Sequence, residues 1–206
     1  MVYRIEHIPE ASVMQAVVSE LLPLVPFARR DKALRYKHLH GQYTCLRAWK
    51  LLHELLLAEH ELPADFPLSK LTYNEDEYGK PGLTIGADVC FSISHTKCAL
   101  AVAIDHRPVG IDIENIVSLN RVEDAHFLER TMNNAERQLI HAAADPCMAF
   151  TELWTRKEAL VKAIGTGLNM DTLPNLLSTL SDYTIQTFHS DTYACSIACV
   201  RQNTTC

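Results

Sequence analysis

The sequence predicts an α+β protein whose chain divides near residue 106 into two similar halves, 1–105 and 106–206. Three observations predict it. A helical apolar stripe runs over 41–61, a β-rich stretch follows over 70–104, and after residue 106 the order of helices followed by alternating strands returns. A chain of 206 residues can bury one large core or two cores of about 100 residues each. With 48% apolar and 21% charged residues, the composition is that of a folded soluble protein and excludes disorder.

The elements can be justified in order. Residues 2–8 alternate weakly as a strand, and Val13, Ala16, Val17 and Leu21 recur at helical spacing until Pro23 stops them. Over 41–61, Cys45, Leu46, Trp49, Leu52, Leu55 and Leu56 form one stripe, ended by Leu62-Pro63. A strand is expected at 71–73 and a turn at Tyr78-Gly79-Lys80-Pro81-Gly82. Runs 90–94 and 98–104 form a hairpin joined at His95-Thr96-Lys97. After the turn at Asp105-His106-Arg107-Pro108, residues 109–113 read as a strand. Asn133 with Glu136 makes a capping box for a helix through Ile140, and a further helix over 148–164 is closed by Gly165. The tail alternates as two strands, 183–188 and 193–200.

Charge and cysteine usage exclude several classes of function. The net charge of −6 provides no global basic field for nucleic acid. Any anion must be captured locally, and Arg29, Arg30, Lys32, Arg35, Lys37, Arg47 and Lys50 outnumber Asp31 and Glu54 in one stretch. That stretch suits either an anion site or a solvated helix face. The seven cysteines, at 45, 90, 98, 147, 195, 199 and 206, lack CxxC spacing and read as reduced thiols, with Cys195 and Cys199 as packing residues. The charged N-terminus and the short apolar runs predict neither signal peptide nor membrane span, hence a cytoplasmic protein.

Three constellations carry candidate chemistry. In Gly110-Ile111-Asp112-Ile113-Glu114, strand geometry places both carboxylates on one face. Same-face acids repel unless a cation lies between them, and oxygen ligands suit Mg²⁺; the pattern alone equally describes acids in water on a half-exposed strand. On the helix over 148–164, Glu158 and Lys162 stand one turn apart on the border of the apolar stripe, a spacing that also serves as surface decoration. Two details point away from decoration: Lys157 intrudes on the apolar face, and Trp154 anchors the helix to the core. The third constellation is Phe91-Ser92-Ile93-Ser94-His95 with Gly79-Lys80-Pro81 upstream. There Lys80 and His95 can donate to phosphate oxygens while Pro81 restricts the turn, although a lone histidine after a strand is more commonly structural.

The order Gly79-Lys80-Pro81, Phe91-Ser92-Ile93-Ser94-His95, Gly110-Ile111-Asp112-Ile113-Glu114 and Trp154-Thr155-Arg156-Lys157-Glu158-Ala159-Leu160-Val161-Lys162 resembles the 4′-phosphopantetheinyl transferases of the Sfp (surfactin-synthetase-activating) type. The resemblance covers roughly 25–170, including the basic stretch and Gly165-Thr166-Gly167-Leu168. One departure is His95-Thr96-Lys97-Cys98, where the family often has a glycine.

The resemblance implies a pseudo-dimer of two α+β halves with coenzyme A between them. Asp112, Glu114 and Glu158 would then hold Mg²⁺. Arg29, Lys32, Arg35, Lys80, Ser94, His95 and Lys162 would contact phosphates, joined by Thr44, with Pro81 shaping the turn. The implied reaction moves phosphopantetheine from coenzyme A to a serine of an apo acyl or peptidyl carrier protein. Glu158 or a metal-bound water is the candidate base, Lys162 stabilises charge at the bridging oxygen, and Asp112 and His95 complete the catalytic set. A monomer suffices, with no nucleic-acid or membrane partner. Two other readings stay open: another Mg²⁺-dependent phosphate or nucleotide enzyme, and a non-catalytic protein that binds coenzyme A or a carrier.

Overall fold

Alternating side chains at the start of the chain build strand β1 (Val2–His7), which pairs antiparallel with β5 (Ala99–Asp105) so that Val2 faces Ile104 and His7 faces Ala99. The computed structural model describes residues 1–85, 88–179 and 181–201. Between these strands come helices α1 (Ala11–Leu21), α2 (Phe27–Leu34) and α3 (Leu39–Ala58). A two-stranded hairpin of β2 (Tyr73–Glu75) and β3 (Pro81–Leu83) follows, and then β4 (Cys90–His95). The sheet order is β1-β5-β4.

After β6 (Val109–Asn115) come α4 (Leu119–Glu123), α5 (Ala125–Thr131), α6 (Asn134–Ala142), α7 (Pro146–Ile164) and α8 (Leu176–Thr179). The chain returns through the hairpin of β7 (Tyr183–His189) and β8 (Tyr193–Val200). This second sheet has the order β6-β8-β7. In each sheet, therefore, the first strand of the segment pairs with the last strand of the closing hairpin. The protein is α+β. Among the described residues no helix is long and apolar enough to cross a membrane.

Strand β5 explains how the two sheets meet. Period-2 geometry sends its larger residues, Leu100, Val102 and Ile104, into the core built on α1 and α3. Its alternate residues, Ala99, Ala101 and Ala103, pack with Val109, Ile111, Ile113, Tyr193, Cys195 and Ile197 of the other sheet. Small side chains on that face let the sheets approach closely, so all of β5 is buried. Along the seam, Ser92 and Ser94 of β4 accept the backbone N–H groups of Ile111 and Ile113 at 3.0 and 3.3 Å. Two edge donors of β6 are thereby satisfied without a shared ladder.

Local signals set the helix ends. Asn133 and Glu136 form the reciprocal capping box of α6. Asp145 caps α7 two residues earlier than the periodicity indicates, with Pro146 in the first turn, where its missing N–H is harmless. Gly165 ends α7 at φ 87°. Four helices carry no signal in the sequence pattern: α2, read only as a basic stretch, and the short α4, α5 and α8. The strand expected at 71–73 begins instead at Tyr73, after a single 3₁₀ turn at Leu68–Lys70. Cys195 and Cys199 are packing residues, and burial pushes the Cys195 thiol up to about 12. The six described cysteines are free; Cys206 lies outside the described residues.

Candidate active site

Strand β6 divides its residues between two neighbours. Val109, Ile111 and Ile113 face the alanines of β5. The other face, with Gly110, Asp112 and Glu114, is crossed by α7, whose backbone passes so close that a Cβ on Gly110 would stand 2.0 Å from the Ala159 carbonyl oxygen and 2.4 Å from the Ala163 nitrogen. Only glycine permits this approach. It brings Lys162 over the carboxylates, where Lys162 Nζ donates to Asp112 Oδ1 at 2.7 Å, to Ser94 Oγ at 3.1 Å and to the Ile111 carbonyl at 3.2 Å. Ser94 also donates to Asp112 Oδ1 at 2.9 Å. Asp112 is 3% exposed, and its second oxygen, Oδ2, is buried without a partner.

A cavity of about 450 Å³ opens beside this cluster. Arg29, Lys32, Thr44, Lys80, Pro81 and His95 line it from one side, Glu158 and Lys162 from the other. Eight of the residues singled out in the sequence thus line one cavity. Asp112, Glu114 and Ser94 are not among its lining residues. Ser94, expected at a phosphate, instead spends its hydroxyl within the Asp112–Lys162 cluster, because β4 needs it to satisfy β6. Arg35, also expected at a phosphate, is exposed, forms an ion pair with Asp31 one turn away and does not line the cavity. The basic stretch contributes less than its composition suggests. Arg47 is held by Glu6 and Glu54, Lys50 pairs with Glu54, and Arg30 donates to the carbonyls of Leu22 and Pro23.

The cavity cations are held by different means. The Arg29 guanidinium lies 4.0 Å from the Trp49 ring and 4.9 Å from the Tyr73 ring, which fixes its plane, while its Nε has no partner. Lys80 reaches across from the β2–β3 hairpin, packs its stem over Gly165 and donates to the Ala163 carbonyl at 2.6 Å. That carbonyl is among the last of α7, where the helix dipole favours a cation. Burial nevertheless pushes the Lys80 ammonium down from its ordinary value. Burial, helped by His40 and Lys162, likewise lowers the His95 imidazole.

The three acids act on one another's ionisation. Burial, then the charges of Asp112 and Glu158, push Glu114 up to about 7 against the opposing pull of Lys162. Burial and Asp112 raise Glu158 as well. Among the described residues, however, no three His, Cys, Asp or Glu side chains stand ready as a metal cage. Lys162 already occupies one oxygen of Asp112.

The raised Glu114 has a measurable consequence. Between its ordinary value of 4.5 and about 7, the folded protein holds a proton that the unfolded chain releases. The folded state binds more protons in that window, so stability from this group is full below 4.5 and is lost as pH rises through 7. The melting temperature of ligand-free protein should therefore decline across this window more steeply than that of Glu114→Gln. Identical slopes would disprove the coupling.

Sequence reasoning passed over Gly110 as a packing residue, although a glycine inside a strand is itself a signal of close backbone approach. It also missed the aromatic clamp on Arg29 and the partner of Lys157. Nothing local announces either, since Trp49, Tyr73 and Glu136 lie 20 residues or more from the groups they hold.

Comparisons with known proteins bear on the family of the chain. Residues 108–203 match the family model of the 4′-phosphopantetheinyl transferase superfamily. The chain is 35% identical over 143 residues to the 4′-phosphopantetheinyl transferase gsp of Aneurinibacillus migulanus, a match covering 68% of this chain and 56% of that protein. It is 30% identical to the 4′-phosphopantetheinyl transferase psf-1 of Bacillus pumilus, over 74% of this chain and 63% of the relative. It is 27% identical to the 4′-phosphopantetheinyl transferase Sfp of Bacillus subtilis (strain 168), over 69% and 61%. The matches thus span less than two thirds of each relative's own length. On its family match and its relatives, the chain belongs to the 4′-phosphopantetheinyl transferase superfamily and is similar to its Sfp-type members.

Proposed function

We propose that this protein transfers the 4′-phosphopantetheine group of coenzyme A to a serine hydroxyl of an apo acyl or peptidyl carrier protein, releasing 3′,5′-ADP. The observation that carries this reading is one cavity where Arg29, Lys32, Lys80 and Lys162 converge beside an acid cluster. Cations from separate elements suit a ligand with several phosphates. The relatives are named for the same transfer.

In the reaction the carrier serine oxygen bonds to the phosphorus that bears pantetheine, and the bond from that phosphorus to the bridging oxygen of the diphosphate breaks. Arg29, Lys32, Lys80 and His95 bind and orient the phosphates. Lys162, with its ammonium at the carboxylate edge, stabilises negative charge on the departing oxygen. Glu158 is the one member of the acid trio that lines the cavity, which places its carboxylate where the serine hydroxyl would come and makes it the candidate to accept the serine proton.

The donor set suits Mg²⁺. Asp112 Oδ2 is a buried oxygen without a partner, and three carboxylates face a single ammonium, an imbalance that a hard divalent cation would relieve. Asp112, Glu114 and Glu158 are the residues that would hold it, and when bound it would neutralise pyrophosphate oxygens. We further read 1–105 and 106–206 as the two units of the protein, the first supplying most cations and the second the acids. A single chain then suffices, and free thiols suit the cytoplasm.

The test incubates the protein with coenzyme A, Mg²⁺ and apo carriers from fatty-acid, polyketide and peptide synthesis, and weighs each carrier. One carrier should gain a single phosphopantetheine. Release of 3′,5′-ADP with no carrier gaining mass would identify a hydrolase. Binding of coenzyme A with no product of either kind would identify a non-catalytic binder.

A further inference from the structure

Lys157 sits beside Glu158 in the middle of α7, yet it points away from the cavity and is 0% exposed. Its ammonium donates to Glu136 Oε2 at 2.6 Å, to the Thr131 carbonyl at 2.7 Å and to the Pro174 carbonyl at 3.0 Å. An ammonium has three N–H groups, so every one is used. Glu136 Oε2 also accepts the Asn133 N–H of the α6 capping box. One cation thereby ties α7 to the end of α5, the start of α6 and the turn Leu173–Asn175.

Two of these attachments bear on the cavity. The turn at Leu173–Asn175 closes a segment that begins at Gly165, and Gly165, Gly167 and Leu168 form part of the cavity wall. Helix α7 is itself gripped on two sides: Gly110 meets Ala159, Lys162 and Ala163, while Lys157 is held from α5, α6 and the turn. Gripping one helix on two sides fixes both its rotation and its slide. Stability alone does not call for such a pair, because a buried ion pair can commonly be replaced by apolar residues with neutral or favourable effect. What apolar packing cannot supply is three directed bonds of fixed length.

We propose that Lys157, with Glu136, is a positioning residue of the transfer site, setting the rotation of α7 and the course of the 165–175 wall and so the places of Glu158 and Lys162. This rests on the proposed transfer. It touches neither substrate nor reacting atoms.

The test replaces the whole pair, Lys157→Met with Glu136→Leu, and compares it with Glu136→Gln, which keeps a neutral acceptor for both Lys157 and Asn133. The double variant should stay folded with a melting temperature only ~2 to 4 °C lower through loss of the capping box, lose ~10- to 100-fold in kcat at an unchanged Kd for coenzyme A, and exchange amides over 165–175 at least tenfold faster. Glu136→Gln should stay within about threefold of wild type in kcat. Wild-type kcat in a folded double variant would overturn the proposal. So would failure of the double variant to fold, since the pair would then serve the fold and not the site. If the unaltered protein modifies no carrier, the proposed function fails; amide exchange still judges the pair, and unchanged exchange over 165–175 would overturn it.

Discussion

Gly110→Ala is expected to give the largest loss of any conservative substitution in the protein, lowering the melting temperature by ~6 to 12 °C and transfer activity at least ~100-fold. The added methyl would stand 2.0 Å from the Ala159 carbonyl oxygen and 2.4 Å from the Ala163 nitrogen. Both are backbone atoms of a helix and cannot swing aside, so α7 as a whole must retreat from β6. Overpacking usually costs ~1–3 kcal/mol, and an obstacle of main-chain atoms belongs at or above the top of that range. Glu158 and Lys162 travel with the helix, which is why activity should fall further than stability alone requires. Gly82→Ala is the control: a Cβ there meets nothing within 4 Å. Differential scanning fluorimetry and the carrier-mass assay check both. A Gly110→Ala protein with wild-type melting and turnover would mean that α7 does not ride on β6 as described.

Asp112→Asn is expected to separate chemistry from folding, with a loss of roughly 10²–10³ in turnover and a change in melting temperature of only about 3 °C or less. The amide keeps the size of the carboxylate and an oxygen to accept from Ser94 and Lys162. What is lost is the negative charge that holds Lys162 at 2.7 Å. Removing one partner of a fully buried pair would be costly. Here the Lys162 side chain is 31% exposed and lines the cavity, so water can reach it and the penalty is small. Glu114 and Glu158 also lose a repelling neighbour, which offsets part of that penalty. NMR titration of Glu114 should show its proton affinity falling back toward the ordinary glutamate range. Undiminished turnover in Asp112→Asn would remove the acid cluster from the mechanism.

The two variants differ because Gly110 and Asp112, two residues apart on one strand, do different work for one helix. Gly110 lets α7 come near; Asp112 uses the nearness. The Gly-Ile-Asp-Ile-Glu segment shows how far sequence reading carried. Its alternation placed Asp112 and Glu114 together on one face, and the structure puts both on the side crossed by α7. The alternation held no information on what that face meets. Half-exposed acids in water and acids under a half-buried lysine share the same pattern of residues.

The basic stretch shows the opposite limit. Composition ranked its cations alike, and register along a short helix carries no label for the cavity side. The structure separates them by partner: Arg29 is clamped by rings and Lys32 lines the cavity, whereas Arg35 turns to Asp31 and Arg47 to Glu6 and Glu54. Lys157 was noticed as an anomaly on an apolar face. Its explanation needed Glu136, 21 residues earlier, and two carbonyls that no side-chain pattern can announce.

By itself the amino-acid order determined whatever depends on neighbours within a turn or a pleat. That covers the α+β class, the capping box at Asn133, the glycine stop at Gly165, the strands around the seam, and the motifs that mark the family. The tertiary structure alone decided which cations remain free to meet a ligand, which of the three acids opens onto the cavity, and where Lys157 finds its counter-charge. The physical reason is range. Periodicity and capping act over a few residues, whereas the competition of one lysine or arginine among several acceptors is settled only when distant segments are packed together and water is removed from between them.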